Sequence, residues 1–282
     1  RSIFFSSDDE VKHFFEKRSI ENSKKHQQPA TLNVKSNLDK LTLNDMQVFR
    51  FNFRHEKNQK ILYLHGGYNT LQPSPFHWRL LDKLTLNTLH EVVLPIYPKS
   101  PDYHYLETFK AIRDVYNQLV EEVGADNIVM MGDGSGGGLA LSFVQSLIND
   151  NQEVPRKLFL LSPLLDATLT NPNITQTLEE NDILVSRFGV HQLMKSWAND
   201  LPLSDARISP LYGTLKGLPP IYMYGGGREI LSPDMHAFTH ALEECGNDVE
   251  FKEYPKMVHD FPFYPIRQSH KVLKHITKSI LE

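Results

Sequence analysis

The chain has 282 residues, of which 40% are hydrophobic and 23% are charged, close to the averages of soluble globular proteins. These values exclude a disordered chain and a collagen, and the absence of any run of 18 apolar residues excludes a transmembrane helix in this sequence. The formal net charge is −4, and Lys and Arg are scattered, so we expect neither nucleic acid nor a membrane as a partner.

The single cysteine, Cys245, excludes an internal disulfide and any cysteine-based metal site. We expect this thiol to be a buried helix residue. Without disulfides or a membrane segment, a cytoplasmic location is expected. The sequence starts at Arg1 rather than Met, and it carries no information on a signal or anchor upstream of that residue. Nothing in it indicates an oligomeric state.

The first segment, residues 1–45, is predicted to be an N-terminal arm with an amphipathic helical stretch around Val11, Phe14, Phe15 and Ile20. After it, short apolar runs alternate with helical spacing, which is typical of strands joined by crossover helices. The predicted strands are 47–53, 61–64, 92–97, 128–131, 158–161, 221–224 and 249–254, and the helices between and after them are 77–89, 105–123, 135–149, 233–245 and 267–281. The pattern predicts an α/β fold with a mostly parallel sheet flanked by helices.

Residues 166–215 interrupt this alternation. The segment contains a predicted helix over 186–198 and is too long for an ordinary connection, so we expect it to fold over the sheet as a helical cap. Its apolar residues Phe188, Leu193 and Trp197 either face a pocket or pack against the sheet.

The predicted organisation is therefore a core interrupted by one insertion. The core comprises residues 46–165 and 216–282, and the cap comprises the insertion 166–215 with part of the arm 1–45.

Because ligands of open parallel sheets bind outside the carboxyl ends of the strands, the residues that follow each strand matter most. His65, Gly66 and Gly67 come directly after a predicted strand. The glycine amides carry no side chain beside them, as an oxyanion hole requires. The alternative is a plain Gly-Gly turn.

The second strand end is the glycine-rich turn Gly132-Asp133-Gly134-Ser135-Gly136-Gly137-Gly138, which leads into a helix. It fits a nucleophile elbow, in which a sharp turn exposes a serine over the sheet. It also matches the dinucleotide fingerprint G-x-G-x-x-G. That interpretation is disfavoured, because the turn follows several earlier strands and no acid stands suitably about 20 residues further on.

Two more strand ends carry ionisable side chains. Glu229 follows the strand 221–224, and His259 lies in the loop after the last predicted strand. The order nucleophile, acid, base along the chain is the order of α/β-hydrolases. Each residue also has an alternative interpretation. Glu229 is an acid near the N-terminus of the next helix, where the helix dipole favours negative charge, and His259 is a structural histidine. His236 and His240 lack the glutamate of a zinc motif and predict an exposed helix face, so no metal site is expected.

Together these segments resemble the hormone-sensitive-lipase-like family of α/β-hydrolases, which includes many bacterial esterases. His65-Gly66-Gly67 matches the family's H-G-G oxyanion motif, Glu229 its acid, and His259-Asp260-Phe261 its H-x-F loop. Ser162-Pro163-Leu164-Leu165-Asp166 matches the S-P-x-x-D segment before the cap. The resemblance extends from about residue 45 onward, and it implies an α/β-hydrolase fold with a cap and a serine-esterase activity that needs no cofactor.

One position departs from the family pattern. The family's G-D-S-A-G-G falls on 132–137, which places Gly134 in the nucleophile position and Ser135 one residue late. A one-residue shift of the turn would make Ser135 the nucleophile, but Asp133 would then stand where the elbow needs its first glycine.

The sequence thus predicts a carboxylic-ester hydrolase for small or short-acyl esters. Ser135 would attack, His259 would accept its proton, Glu229 would orient the imidazole, and Gly66 and Gly67 would hold the oxyanion. The alternative is a catalytically silent protein that binds a small molecule in the same pocket, as the gibberellin receptors of this family do.

Overall fold

The computed structural model describes residues 5, 7–52 and 59–282. The eight strands of these residues form one sheet, with helices before, between and after them. In chain order the elements are α1 (Asp8–Ser23), β1 (Asn37–Leu43), β2 (Met46–Asn52), β3 (Lys60–Leu64), α2 (Pro75–Thr88), β4 (Glu91–Pro95), α3 (Tyr105–Val123), β5 (Ile128–Asp133), α4 (Gly134–Asn149), β6 (Lys157–Leu161), α5 (Gln176–Asn181), α6 (Arg187–Ala198), β7 (Ile221–Gly226), α7 (Ser232–Glu244), β8 (Val249–Tyr254) and α8 (Arg267–Leu281).

The strand order across the sheet is β1-β2-β4-β3-β5-β6-β7-β8. β2 pairs antiparallel with both β1 and β4, whereas all pairs from β4 to β8 are parallel. In the parallel part Leu64 lies opposite Gly132, and Leu161 lies opposite Tyr224. The segments that follow β3, β5, β6 and β7 therefore emerge at one edge of the sheet.

Apolar residues cover both faces of the sheet, as the continuous hydrophobic runs predict for parallel strands buried between helices. In β3 the side chains of Leu62 and Leu64 pack in one core cluster and those of Ile61 and Tyr63 in the other. Successive residues of a strand point to opposite faces, so one strand feeds both halves of the core.

The predicted α/β-hydrolase fold, with its mostly parallel sheet, is confirmed. Strand β1 was not predicted, and it places the last part of the 1–45 arm in the sheet. The reason is that β1 is an edge strand with mostly exposed side chains and no apolar alternation. The short helix α5 also escaped prediction, and Cys245 is exposed after α7 rather than buried. Of the predicted strand 47–53, residue 53 lies outside the described residues.

The insertion 166–215 contacts the rest of the protein through both apolar and polar side chains. Leu193 and Trp197 on α6 are buried in the core, and the indole of Trp197 donates to Thr108 Oγ1 at 2.9 Å. Phe188 is exposed, so of the three apolar residues considered, two pack inward. Asp182 Oδ2 accepts a hydrogen bond from the Ile230 amide at 2.9 Å, which ties the insertion to the segment that carries Glu229.

Candidate active site

The elbow between β5 and α4 is built around Gly134. This residue has a φ of +51°, in the left-handed region that favours glycine, and it begins α4. A β-carbon placed on Gly134 would lie 3.5 Å from His259 Nε2, which is an ordinary contact distance. Gly134 therefore occupies the position from which a nucleophilic side chain would meet the imidazole.

The neighbouring glycines allow the turn to pack closely. A β-carbon on Gly136 would lie 2.2 Å from the Leu64 carbonyl oxygen, and one on Gly132 would lie 2.4 Å from the Gly136 carbonyl oxygen. No side chain fits at either point without moving backbone. Both positions therefore require glycine for the turn to pack this closely.

Glu229 and His259 form a buried pair at the ends of β7 and the loop after β8. His259 Nδ1 lies 2.7 Å from Glu229 Oε2, and Glu229 is 0% exposed. The other oxygen, Oε1, accepts hydrogen bonds from the Gly226 amide at 2.7 Å and the Ser162 hydroxyl at 2.8 Å. The carboxylate is thus fixed by one donor at the end of β7 and one directly after β6, and it orients the imidazole toward Gly134.

Asp260 occupies the other side of the imidazole. Its Oδ2 lies 3.1 Å from His259 Nε2, and its Oδ1 is buried without a hydrogen-bond partner among the described residues. Burial alone would lower the pKa of His259, but the carboxylates of Asp260 and Glu229 outweigh it and hold that pKa well above 6.5. Burial raises the pKa of the Asp260 carboxyl to about 6, against the opposing effect of the imidazole.

Ser135, the predicted nucleophile, lies within α4, and its φ is not in the left-handed region. Its Oγ is buried and makes no hydrogen bond to any described residue, His259 included. The structure does not bring the Ser135 hydroxyl to His259, and the elbow has the family register rather than the shifted one.

The predicted oxyanion glycines lie beside the elbow. The Gly66 amide donates to Asp133 Oδ1 at 3.0 Å, so in this structure the amide has a partner within the protein. Gly67 has a φ of +121°, and its carbonyl accepts from the Thr70 and Leu71 amides. Of the predicted pair, Gly67 stays a candidate donor.

Asp133 is a buried anchor under the elbow. Besides the Gly66 amide, its carboxylate accepts from the Tyr63 hydroxyl at 2.7 Å and lies 3.1 Å from His77 Nε2. Burial opposes both charges, but the pair holds the pKa of His77 above its usual value and that of Asp133 below its own. The role of His77 was missed, because its segment carries no motif and only the fold brings it to Asp133. Asp260 lies in the H-x-F segment and Ser162 in the S-P-x-x-D segment, but the motifs alone assign neither residue a role.

Known proteins with similar sequences agree with this geometry. Residues 61–263 match the model of a family described by the alpha/beta hydrolase fold. An esterase from Acinetobacter venetianus is 33% identical over 208 residues, which are 73% of this chain and 68% of that protein. The chain belongs to the α/β-hydrolase family. It is a carboxylesterase-like member of it, and the resemblance to the hormone-sensitive-lipase-like group is confirmed.

Solved structures of other α/β-hydrolases agree. A candidate esterase from Staphylococcus aureus is 64% identical with a TM-score of 0.98, covering 100% of this chain and 95% of that one. An esterase from the bacterial hormone-sensitive lipase family has a TM-score of 0.83, with 98% of this chain and 99% of that one covered; at 20% identity this shows the shared fold.

A triacylglycerol lipase from Mycobacterium tuberculosis is 29% identical over 221 residues. The match covers 78% of this α/β-hydrolase but less than half of the lipase, 46% of its length. Among the described residues, no helix is both long and apolar enough to cross a membrane. The same residues contain no cluster of His, Cys, Asp or Glu arranged to hold a metal ion.

Proposed function

We propose that this chain is a carboxylic-ester hydrolase for small or short-acyl esters, built around Glu229 and His259. One observation carries the proposal: His259 is held by Glu229 at 2.7 Å and presents Nε2 to the elbow at 3.5 Å from the β-carbon position of residue 134. An oriented imidazole facing a nucleophile elbow is the arrangement that acyl transfer requires.

In this proposal, neutral His259 accepts the proton of the attacking hydroxyl through Nε2, and Glu229 stabilises the imidazolium that forms. The oxyanion is held by the Gly67 amide and by an amide at the N-terminus of α4, where the helix dipole favours negative charge. The proton then passes from His259 to the leaving alcohol, and water repeats the sequence on the acyl intermediate.

The scheme requires an attacking hydroxyl near His259. Ser135 is the one hydroxyl side chain in the turn 132–138, and to attack it must reach His259 through a one-residue shift of the elbow. The amide of Gly136 would then take the oxyanion position that the Ser135 amide has in the family register.

Hydrolysis of p-nitrophenyl acetate and butyrate by the purified chain tests the function. Turnover that is lost in His259→Ala and in Glu229→Gln supports a hydrolase built on this pair. Loss in Ser135→Ala as well assigns the nucleophile, whereas unchanged turnover in Ser135→Ala removes Ser135 from the mechanism. A correctly folded parent with no turnover above the His259→Ala variant contradicts the proposal.

A second candidate function has its own observation, since Gly134 provides no nucleophile and the Ser135 hydroxyl makes no hydrogen bond to His259. In that case the pocket binds a small molecule without cleaving it. An inert parent that binds a short-chain ester or its amide analogue, and that gains turnover in Gly134→Ser, identifies this silent site. Turnover by the parent through Ser135 rules it out.

A further inference from the structure

Lys99 is a buried cation that the proposed ester chemistry does not use. It follows β4, is 3% exposed, and donates from Nζ to the Tyr97 carbonyl oxygen at 2.7 Å. Its Nζ also lies 4.4 Å from the centre of the Tyr97 ring. No carboxylate of the described residues forms an ion pair with it, and burial lowers its pKa to about 7.

Burying an ammonium group without a counter-ion is costly, and most buried charges in proteins are paired. The contacts of Lys99 inside the protein comprise one carbonyl and one ring face. The side chain therefore has hydrogen-bonding capacity that these two contacts leave unused.

Lys99 lines a cavity of about 990 Å³ between the end of α1, the β1–β2 hairpin, the end of β4 and α3. Neither Gly134, Glu229 nor His259 lines this cavity, so it is separate from the elbow. Its lining is mixed, and its apolar part includes Met46, Val48, Phe49, Ile96 and Tyr97.

Two residues that line the cavity carry a buried acceptor. Asn22 Oδ1 and Gln72 Oε1 are shielded from solvent and have no hydrogen-bond partner among the described residues. Two acidic residues of the rim are already engaged: Asp102 accepts from Ser19 at 2.7 Å, and Asp114 pairs with Lys110 at 3.0 Å. The lining of the cavity thus includes the buried ammonium of Lys99, two residues with unpartnered acceptors, and apolar side chains.

We propose that this cavity is a second binding site, for a short aliphatic or aromatic hydroxycarboxylate. The carboxylate pairs with Lys99 Nζ, the hydroxyl donates to Gln72 Oε1 or Asn22 Oδ1, and the hydrocarbon part packs on Phe49 and its apolar neighbours. The carboxylate supplies the counter-ion that Lys99 lacks among the described residues, and the hydroxyl supplies a donor for an unpartnered acceptor. The proposal does not depend on esterase activity.

Isothermal titration of the full chain with 3-phenyllactate tests the proposal. Because Lys99 is partly deprotonated near neutral pH, carboxylate binding takes up protons, which appears as a binding enthalpy that depends on the ionisation enthalpy of the buffer. We expect the related diol 3-phenyl-1,2-propanediol, which lacks the carboxylate, to bind more weakly and without proton uptake.

Lys99→Met should weaken 3-phenyllactate binding about tenfold or more and abolish the proton uptake. Lys110→Met is the matched control, because Lys110 lines the same cavity but is exposed and paired with Asp114. A second variant, Gln72→Met, keeps Lys99 and tests the proposal even if Lys99→Met fails to fold. Gln72→Met should weaken the binding of 3-phenyllactate but not that of 3-phenylpropionate, which lacks the hydroxyl.

His259→Ala should leave the affinity unchanged. The proposal is overturned by an absence of binding at millimolar ligand, by binding without proton uptake, or by binding that is lost in His259→Ala and kept in Lys99→Met. The last result would place the ligand in the ester site.

Discussion

Asp260 Oδ2 lies 3.1 Å from His259 Nε2, on the side of the imidazole that faces the elbow. The same oxygen lies 3.7 Å from the point where a β-carbon on Gly134 would stand. A carboxylate therefore holds the hydrogen-bonding position on Nε2 that a nucleophilic hydroxyl would use. His259 is consequently flanked by two carboxylates, and its protonated form is favoured.

Gly134→Ser should create or strongly increase esterase activity. The β-carbon meets no atom closer than 3.5 Å, so the hydroxyl can reach His259 without displacing backbone, once the Asp260 side chain turns away from Nε2. Since removal of the nucleophile from a serine hydrolase costs several powers of ten in kcat, we expect a gain of roughly 10³-fold or more, measured with p-nitrophenyl acetate.

Ser135→Ala in the Gly134→Ser background should retain this activity, and His259→Ala in that background should lose it. A gain that depends on Ser135 would mean that the shifted elbow operates. The serine has a left-handed backbone conformation, so the variant should also be less stable by about 1–2 kcal/mol.

Asp260→Asn in the Gly134→Ser background should shift the pH profile to lower pH. His259 acts as a base only when neutral, and the Asp260 carboxylate raises its pKa. Removing that charge lowers the pKa, so the rising limb of kcat/KM moves toward acid. The profile is measured over roughly pH 5 to 9. Asp9→Asn, an exposed change on α1, is the control, and equal limbs in both variants would contradict this account.

Ser162→Ala should impair catalysis through Glu229. The Ser162 hydroxyl donates to Glu229 Oε1 at 2.8 Å and accepts from the Asp260 amide at 3.2 Å, so it positions both acids. In the Gly134→Ser background we expect kcat to fall about tenfold with KM little changed. Ser142→Ala also removes buried hydroxyl contacts, to Ala206 and Arg207, and should affect stability alone. A similar fall of kcat in both variants would assign Ser162 a merely structural role.

Asp133→Asn should destabilise the fold in a pH-dependent way. The loss should be about 3 kcal/mol, as for one partner of a buried ion pair. The folded-state pKa of Asp133 is lowered from 3.8 and that of His77 is raised from 6.5. The pair therefore stabilises the fold fully between the ordinary pKa values of 3.8 and 6.5. The stabilisation is lost as pH falls through the lowered pKa of Asp133 in the folded state, or as pH rises through the raised pKa of His77.

Thermal unfolding of parent and Asp133→Asn checks this, with Asp9→Asn as control. The difference in Tm should be larger near pH 5 than near pH 9. A difference that does not change with pH would show that the hydrogen bonds from Tyr63 and the Gly66 amide dominate over the charge of His77.

Several parts of the fold followed from local patterns. Helix α3 was predicted over its observed range, because Phe109, Ile112, Tyr116, Leu119 and Val123 recur at helical spacing. Strand β8 was likewise predicted with its observed bounds. Strand β1 was not, because its side chains are mostly exposed and its stability comes from pairing with β2, residue by residue from Asn37↔Asn52 to Leu43↔Met46.

For the site, the sequence alone determined the family and the residue types at each strand end, including Gly134, Glu229 and His259. These depend on order along the chain, and order is a property of sequence. The tertiary structure decided that Gly134 rather than Ser135 faces His259, that the Gly66 amide is bound to Asp133, and that Asp260 caps the imidazole. These relationships are distances between segments far apart in the chain, and they are set by how the strands and their turns pack.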